Sequence, residues 1–395
     1  MVICRKGQTL FSSSISHGYL FKSPLILHIY TTLSSFHDTD DGPPKPHSAV
    51  VEFLMDSVGF TRETAIAASN KVPSLKSTKN PELVINIFKQ YGLDNTHMKQ
   101  IISCAPKILN CRPNTNLEPK FRFFRDNGFS GSDLVDLIKR NPYLLVAGLD
   151  THIIPFIGII RKLVGTNEEA MEVVKKSKSL FLITSPAYLK KMSSNVFELQ
   201  NRGLSNKKIV YLVSTHPRIV VLTPLVFRHR IGWIVEKLGI PETSPMFVYA
   251  IAATVGSSKL SLEKKLDILR SYKWGEEEIA TFVRTFPTYF GYSEAKICDA
   301  LNFFMKDLRF APAYLVTNNF LLGLSLEKRV KPRCKVWEML KDKKLIPSKP
   351  SLASLLVYSE LKFLKFLERF ENELPGLIET YTNSNGKTQT KKGMA

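Results

Sequence analysis

The chain has 395 residues, 44% of them hydrophobic and 23% charged, which is enough apolar material for a sizeable core and excludes a wholly disordered chain. Its 55 lysines and arginines against 35 acidic residues leave a formal charge of +20, which favours polyanionic partners, either nucleic acid or an acidic membrane surface. The five cysteines (Cys4, Cys104, Cys111, Cys298 and Cys334) are odd in number and form no C-x-x-C pair, so neither a disulfide framework nor a structural zinc site is expected.

Residues 1–37 contain no Asp or Glu, carry Arg5, Lys6 and Lys22, and include the run Ser12-Ser13-Ser14-Ile15-Ser16. That cationic, serine-rich, acid-free composition is expected of an organellar transit peptide. Asp38 to Pro44 reads as a linker, so residues 1–40 are assigned to targeting peptide and linker. Mitochondrion is the first expectation for the address and chloroplast the alternative. Further on, the most apolar stretch, Leu144 to Val164, is interrupted by Asp150, His152, Arg161 and Lys162 and reads as core helix, since a membrane span needs roughly 18 to 20 apolar residues.

From about residue 50 the sequence repeats. Glycines that follow a helical apolar pattern recur at Gly92, Gly128, Gly165, Gly203 and Gly239, at steps of 36 to 38 residues. Prolines followed by apolar residues recur at Pro106, Pro142, Pro217 and Pro287, and three of them stand 14 residues after a glycine of the series. Each unit reads as a helix closed by a left-handed glycine, then a second helix opened by Ser or Asp, as at Ser132-Asp133 and Ser205. The second helix ends before the proline, because the residue ahead of a proline is driven out of the α region. A short 3-10 turn, such as Ile219 to Leu222, leads to the next unit. Such a hairpin cannot bury its own apolar face, so the expectation is an all-α, right-handed-type α-solenoid of about eight hairpins over residues 45–345, with a helical cap and basic tail over 346–395. Three units depart from the pattern: Ala253 stands in place of a proline, Lys178-Ser179 replaces another, and the unit around Leu308-Arg309-Phe310 lacks its glycine.

These units, with the form I/V-x-x-h-h-x-x-x-P-x-h-h (h, hydrophobic), resemble the mitochondrial transcription termination factor (mTERF) family. The segment Ser325-Leu-Glu-Lys-Arg-Val-Lys-Pro-Arg resembles a late signature of its plant members, and Phe60 to Val72 their opening repeat. With Ser359 to Leu367, the resemblance covers roughly residues 45–380. It implies a curved superhelix that binds double-stranded DNA, or in some members RNA, in mitochondria or chloroplasts, with roles in transcription termination, transcription regulation and intron splicing.

Cations recur near the start of successive units: Lys120 and Arg122; Lys190 and Lys191; Arg228 and Arg230; Lys264 and Lys265; Lys296; Lys328, Arg329 and Arg333. They are expected to form a stripe of phosphate contacts, since cations at helix starts oppose the helix dipole. Arg218 is a candidate extra contact. No catalytic residue, metal site or cofactor is expected. Gly386-Lys387-Thr388 lacks the earlier glycine of a phosphate loop, and Tyr381 stands there instead. Glu168-Glu169 and Glu276 to Glu278 fall where acid stabilises a helix start. The expected function is regulation of transcription, including termination, by binding duplex DNA as a monomer, with no small-molecule substrate and no membrane. RNA binding in splicing or processing is the alternative, and a scaffold for acidic proteins the second.

Overall fold

The computed structural model describes residues 48–177, 185–346 and 350–384. The expected targeting peptide and linker, the segment Lys178 to Leu182 and the tail from residue 385 lie outside the described residues.

The repeat is written in the backbone. Among the described residues ten have positive φ, between 57° and 108°: Gly59, Gly92, Gly128, Gly165, Gly203, Gly239, Lys273, Arg309, Lys344 and Gly376. They follow one another at steps of 32 to 38 residues. The first nine close helices 48–58, Lys79–Gln90, 113–126, 149–164, Pro186–Asn201, Pro224–Leu238, Lys259–Ser271, 294–307 and 326–342, and Gly376 follows a tenth at 360–370. The unit without a glycine is therefore intact: Arg309 turns the chain in its place, and Lys273 and Lys344 do the same in the units on either side.

A second helix follows each closure, from Arg62–Ser69 in the first hairpin to Leu377–Ser384 in the tenth. Short polar side chains start them by accepting from free backbone N–H groups. Thr61 accepts from the Thr64 amide, Thr166 from Glu169, and Asp94 and Ser130 form reciprocal capping boxes with His97 and Asp133. The cap of the third hairpin is thus Ser130, two residues ahead of the expected start. The expected acids do open second helices, Glu168 and Glu169 in the fourth hairpin and Glu276 to Glu278 in the seventh.

The prolines act as anticipated. Ala105, Asn141, His216 and Phe286 precede them at ψ between 51° and 70°, outside the helical region. Each proline then opens a short third helix: 3-10 turns at Pro106–Asn110, Pro142–Leu145 and Pro287–Gly291, and one α turn at Pro217–Val220. In the eighth hairpin Asn318 makes the same break without a proline and leads into Asn319–Gly323.

The hairpins stack into an all-α solenoid. One continuous apolar cluster runs from Val50 to Leu356, and a second gathers Val336, Leu340, Phe363, Phe366, Leu377 and Tyr381 around the last helices. The ninth hairpin spans 326–357, so the expected boundary at residue 345 falls inside it, and the array continues into the region assigned to the cap. Among the described residues no helix is long and apolar enough to cross a membrane.

Candidate nucleic-acid interface

The twelve cations divide sharply. Lys120, Lys265 and Arg333 are buried, at 1%, 7% and 1% exposure. Their helix positions explain it. Leu117, Phe121 and Phe124 surround Lys120 at the spacing of one helix face, and Leu262, Leu266 and Leu269 surround Lys265 in the same way. All six apolar neighbours belong to the core, so the lysine between them points inward.

Lys120 and Lys265 meet the end of the third helix of their own unit, and Arg333 the end of the helix Leu352–Val357. The Lys120 ammonium donates to the Leu145 carbonyl at 2.5 Å and to Asn116 Oδ1 at 2.7 Å. Lys265 Nζ donates to the Phe290 carbonyl at 2.5 Å. Arg333 Nη1 donates to the carbonyls of Leu355 and Tyr358 at 2.8 and 2.7 Å, and Nη2 reaches Glu360 Oε2 at 3.2 Å. Lys296 donates to Gly323 at 3.0 Å, and Arg230 donates to the Ser257 carbonyl. Asn195 takes the role in the fifth hairpin through Val220 and Leu222, and Asn80 in the second through Leu109 and Cys111. The separation is 25 or 27 residues for the lysine, arginine and Asn195 bonds to Leu145, Val220, Leu222, Ser257, Phe290, Gly323 and Tyr358.

These side chains are struts. The last carbonyls of a short helix have no partner within the helix, and burying them unpaired costs about 1–3 kcal/mol each. A long donor from the first helix satisfies them and fixes the third helix against the first. Burial pushes the Lys120 amine down to about 8 and lowers Lys265 and Lys296 as well. Lys120, Lys265 and Arg333 are thereby removed from the expected phosphate contacts, and half-buried Arg230 and Lys296 each give one donor to the backbone.

Seven of the expected residues remain at the surface: Arg122, Lys190, Lys191, Arg228, Lys264, Lys328 and Arg329, with Lys191 and Arg329 partly covered. Arg122 is paired with Glu118 at 2.5 Å, and Arg228 lies 4.0 Å from Glu198. They do not share one register. Counted back from the positive-φ residue that closes each helix, they stand between 6 (Arg122) and 16 (Lys328) positions away. At 100° per residue those offsets point to different sides of the helix, so the expected single stripe does not form from this set. Arg218, the candidate beside Pro217, is exposed.

The repeat geometry now fixes the relationship to known proteins. A family model described as mTERF matches residues 49–364, which takes in nine hairpins and the start of the tenth. The chain belongs to the mTERF family. Among curated proteins, this mTERF chain is similar to an Arabidopsis thaliana protein named "Transcription termination factor MTERF8, chloroplastic", at 22% identity over 306 residues. That alignment covers 76% of this chain and 58% of the relative, so the chain spans under two thirds of the relative's length. Among the described residues, no group of three His, Cys, Asp or Glu side chains is placed to hold a metal ion.

Proposed function

We propose that this mTERF protein regulates transcription in an organelle by occupying duplex DNA, without turnover. The observation that carries the reading is the family match over residues 49–364 on a chain with a net charge of +20. A chain of that charge attracts phosphate backbones through released counterions, and such contacts set affinity and position before any base is read. The exposed set supplies at least one cation in each of the third, fifth, sixth, seventh and ninth hairpins. The relative's name speaks of transcription termination and of the chloroplast, and it supports a plastid address over the mitochondrial one first expected.

Binding of the full chain to labelled duplex DNA, followed across roughly 50 to 200 mM salt, tests the proposal. The expected result is a linear, steep fall of log affinity with log salt, and competition by unlabelled duplex that exceeds competition by heparin. Stronger competition by structured RNA moves the function to RNA processing. Equal competition by heparin and duplex removes nucleic-acid recognition and leaves a scaffold for acidic proteins.

A further inference from the structure

A different set of cations does keep a constant register. Three positions before the closing residue stand Lys89, Arg125, Lys162, Arg270, Lys306 and Lys341, ahead of Gly92, Gly128, Gly165, Lys273, Arg309 and Lys344. All six are exposed. They occupy six of the eight hairpins from the second to the ninth; Gln200 and Glu236 fill the position in the fifth and sixth. At the two ends of the array the same position is acidic, Asp56 before Gly59 and Glu373 before Gly376. A fixed offset from the closure fixes both the height along the helix and the direction around it, so in a stacked array these side chains lie in one row.

The helix dipole favours a cation anywhere in a last turn. It does not account for this choice of position. Asp126, Asp307 and Asp342 occupy the next residue of three of the same helices, where the dipole opposes them. Nor are internal ion pairs the reason for the whole row. Arg270 is held by Asp267 and Glu276 at 2.8 and 2.7 Å, and Arg125 lies 3.6 Å from Asp126. Lys306 sits 5.5 Å from the centre of the Tyr272 ring. Lys89, Lys162 and Lys341 make no ion pair within 4 Å among the described residues.

We propose that this row is the phosphate track of the protein, in two tracts of three cations separated by the fifth and sixth hairpins, and that its ligand is the backbone of duplex DNA. The assignment rests on the nucleic-acid reading above and names different residues for it. Two tracts on one solenoid edge would grip two stretches of backbone, with Gln200 and Glu236 leaving the middle ungripped.

The test uses the full chain and duplex DNA. One variant carries Lys89→Gln, Arg125→Gln and Lys162→Gln, and a second carries Arg270→Gln, Lys306→Gln and Lys341→Gln. A control of equal charge carries Lys207→Gln, Lys259→Gln and Lys335→Gln, all exposed and outside the row. Each tract variant should lower the salt slope by roughly 2–3 and weaken binding about tenfold or more, while the control moves the slope by less than about 1. Circular dichroism and thermal melting confirm that the variants are folded. Because Arg270 is bonded to two carboxylates, Lys306→Gln with Lys341→Gln serves as a second variant that leaves those bonds intact, with an expected slope change of roughly 2. If the wild-type chain binds duplex DNA and the tract variants match the control, the track is wrong while the functional reading stands. If the wild-type chain shows no salt-dependent binding at all, the functional reading itself falls.

Discussion

Lys265 and Tyr289 hold each other's neighbourhoods in place: the tyrosine hydroxyl donates to the Lys265 carbonyl at 2.8 Å, and the Lys265 ammonium donates to the carbonyl of the next residue, Phe290, at 2.5 Å. Both side chains are buried, Tyr289 completely. The pair locks the first helix of the seventh hairpin to its third. One residue earlier, Lys264 is exposed. Two consecutive lysines thus have opposite employment.

That contrast gives a paired measurement. Lys265→Met strands the Phe290 carbonyl and should cost about 1–3 kcal/mol in chemical denaturation. Lys264→Met should stay within about 0.5 kcal/mol. Equal effects of the two substitutions would show that the buried strut contributes nothing.

Arg333 has the most demanding strut. Its guanidinium serves the carbonyls of Leu355, Leu356 and Tyr358, meets Glu360 and the Tyr381 hydroxyl, and lies 4.3 Å from the centre of the Phe363 ring. An ammonium group has three donors and no plane to stack, so it cannot replace this fork. Arg333→Lys should destabilise the chain by about 3 kcal/mol or more. Limited proteolysis should then cut first between residues 350 and 384. A protease-resistant, fully stable Arg333→Lys variant contradicts the assignment.

Lys120 makes stability depend on alkaline pH. Its amine is lowered to about 8 from an ordinary 10.5 by burial. Between those values the unfolded chain binds more protons than the folded one, so stability rises as pH increases through that window. Below about pH 8 both states are protonated and the penalty of the buried charge is fully present. The neutral amine still donates to Leu145, so the strut survives deprotonation. Denaturation at pH 7, 8, 9 and 10 should show a gain on the order of 1–3 kcal/mol in the wild-type chain. Lys120→Met should lack that gain, and an identical pH profile in the two proteins rules out the effect.

Arg309 turns the chain at φ 57° where most units use glycine. A side chain with a Cβ is strained there, so Arg309→Gly should raise stability by about 0.5–1 kcal/mol. The reverse exchange at Gly128, φ 85° with open space where a Cβ would go, should cost about 1 kcal/mol in Gly128→Ala for conformational reasons alone. Thermal melting of both variants decides it, and a destabilised Arg309→Gly would show that the arginine side chain makes a contact worth more than the strain.

Much of this was legible in the residues. The glycine and proline periods, the polar caps and the apolar faces are local signals, each acting within about one helical turn. They fixed the all-α repeat, its period and the family resemblance. Even the struts left a trace: Phe227, Ile231 and Ile234 flank Arg230 at the same spacing that flanks Lys120 and Lys265, and that frame marks an inward position. The cations do recur at unit starts, but their rotation around the helix turns some inward and scatters the rest, so they form no single stripe.

The sequence by itself determined the hairpin, because helix starts, stops and buried faces follow from side chains a few residues apart. Only the tertiary structure decided what the inward lysine of a neighbouring pair bonds to. The apolar frame around Lys265 marks it as inward, but the carbonyl it meets comes from 25 residues away, and only the folding of the first helix against the third supplies that partner. It also took the folded chain to show Lys273, Arg309 and Lys344 standing in for glycine, since packing on both sides outweighs the roughly 1–2 kcal/mol their backbones resist.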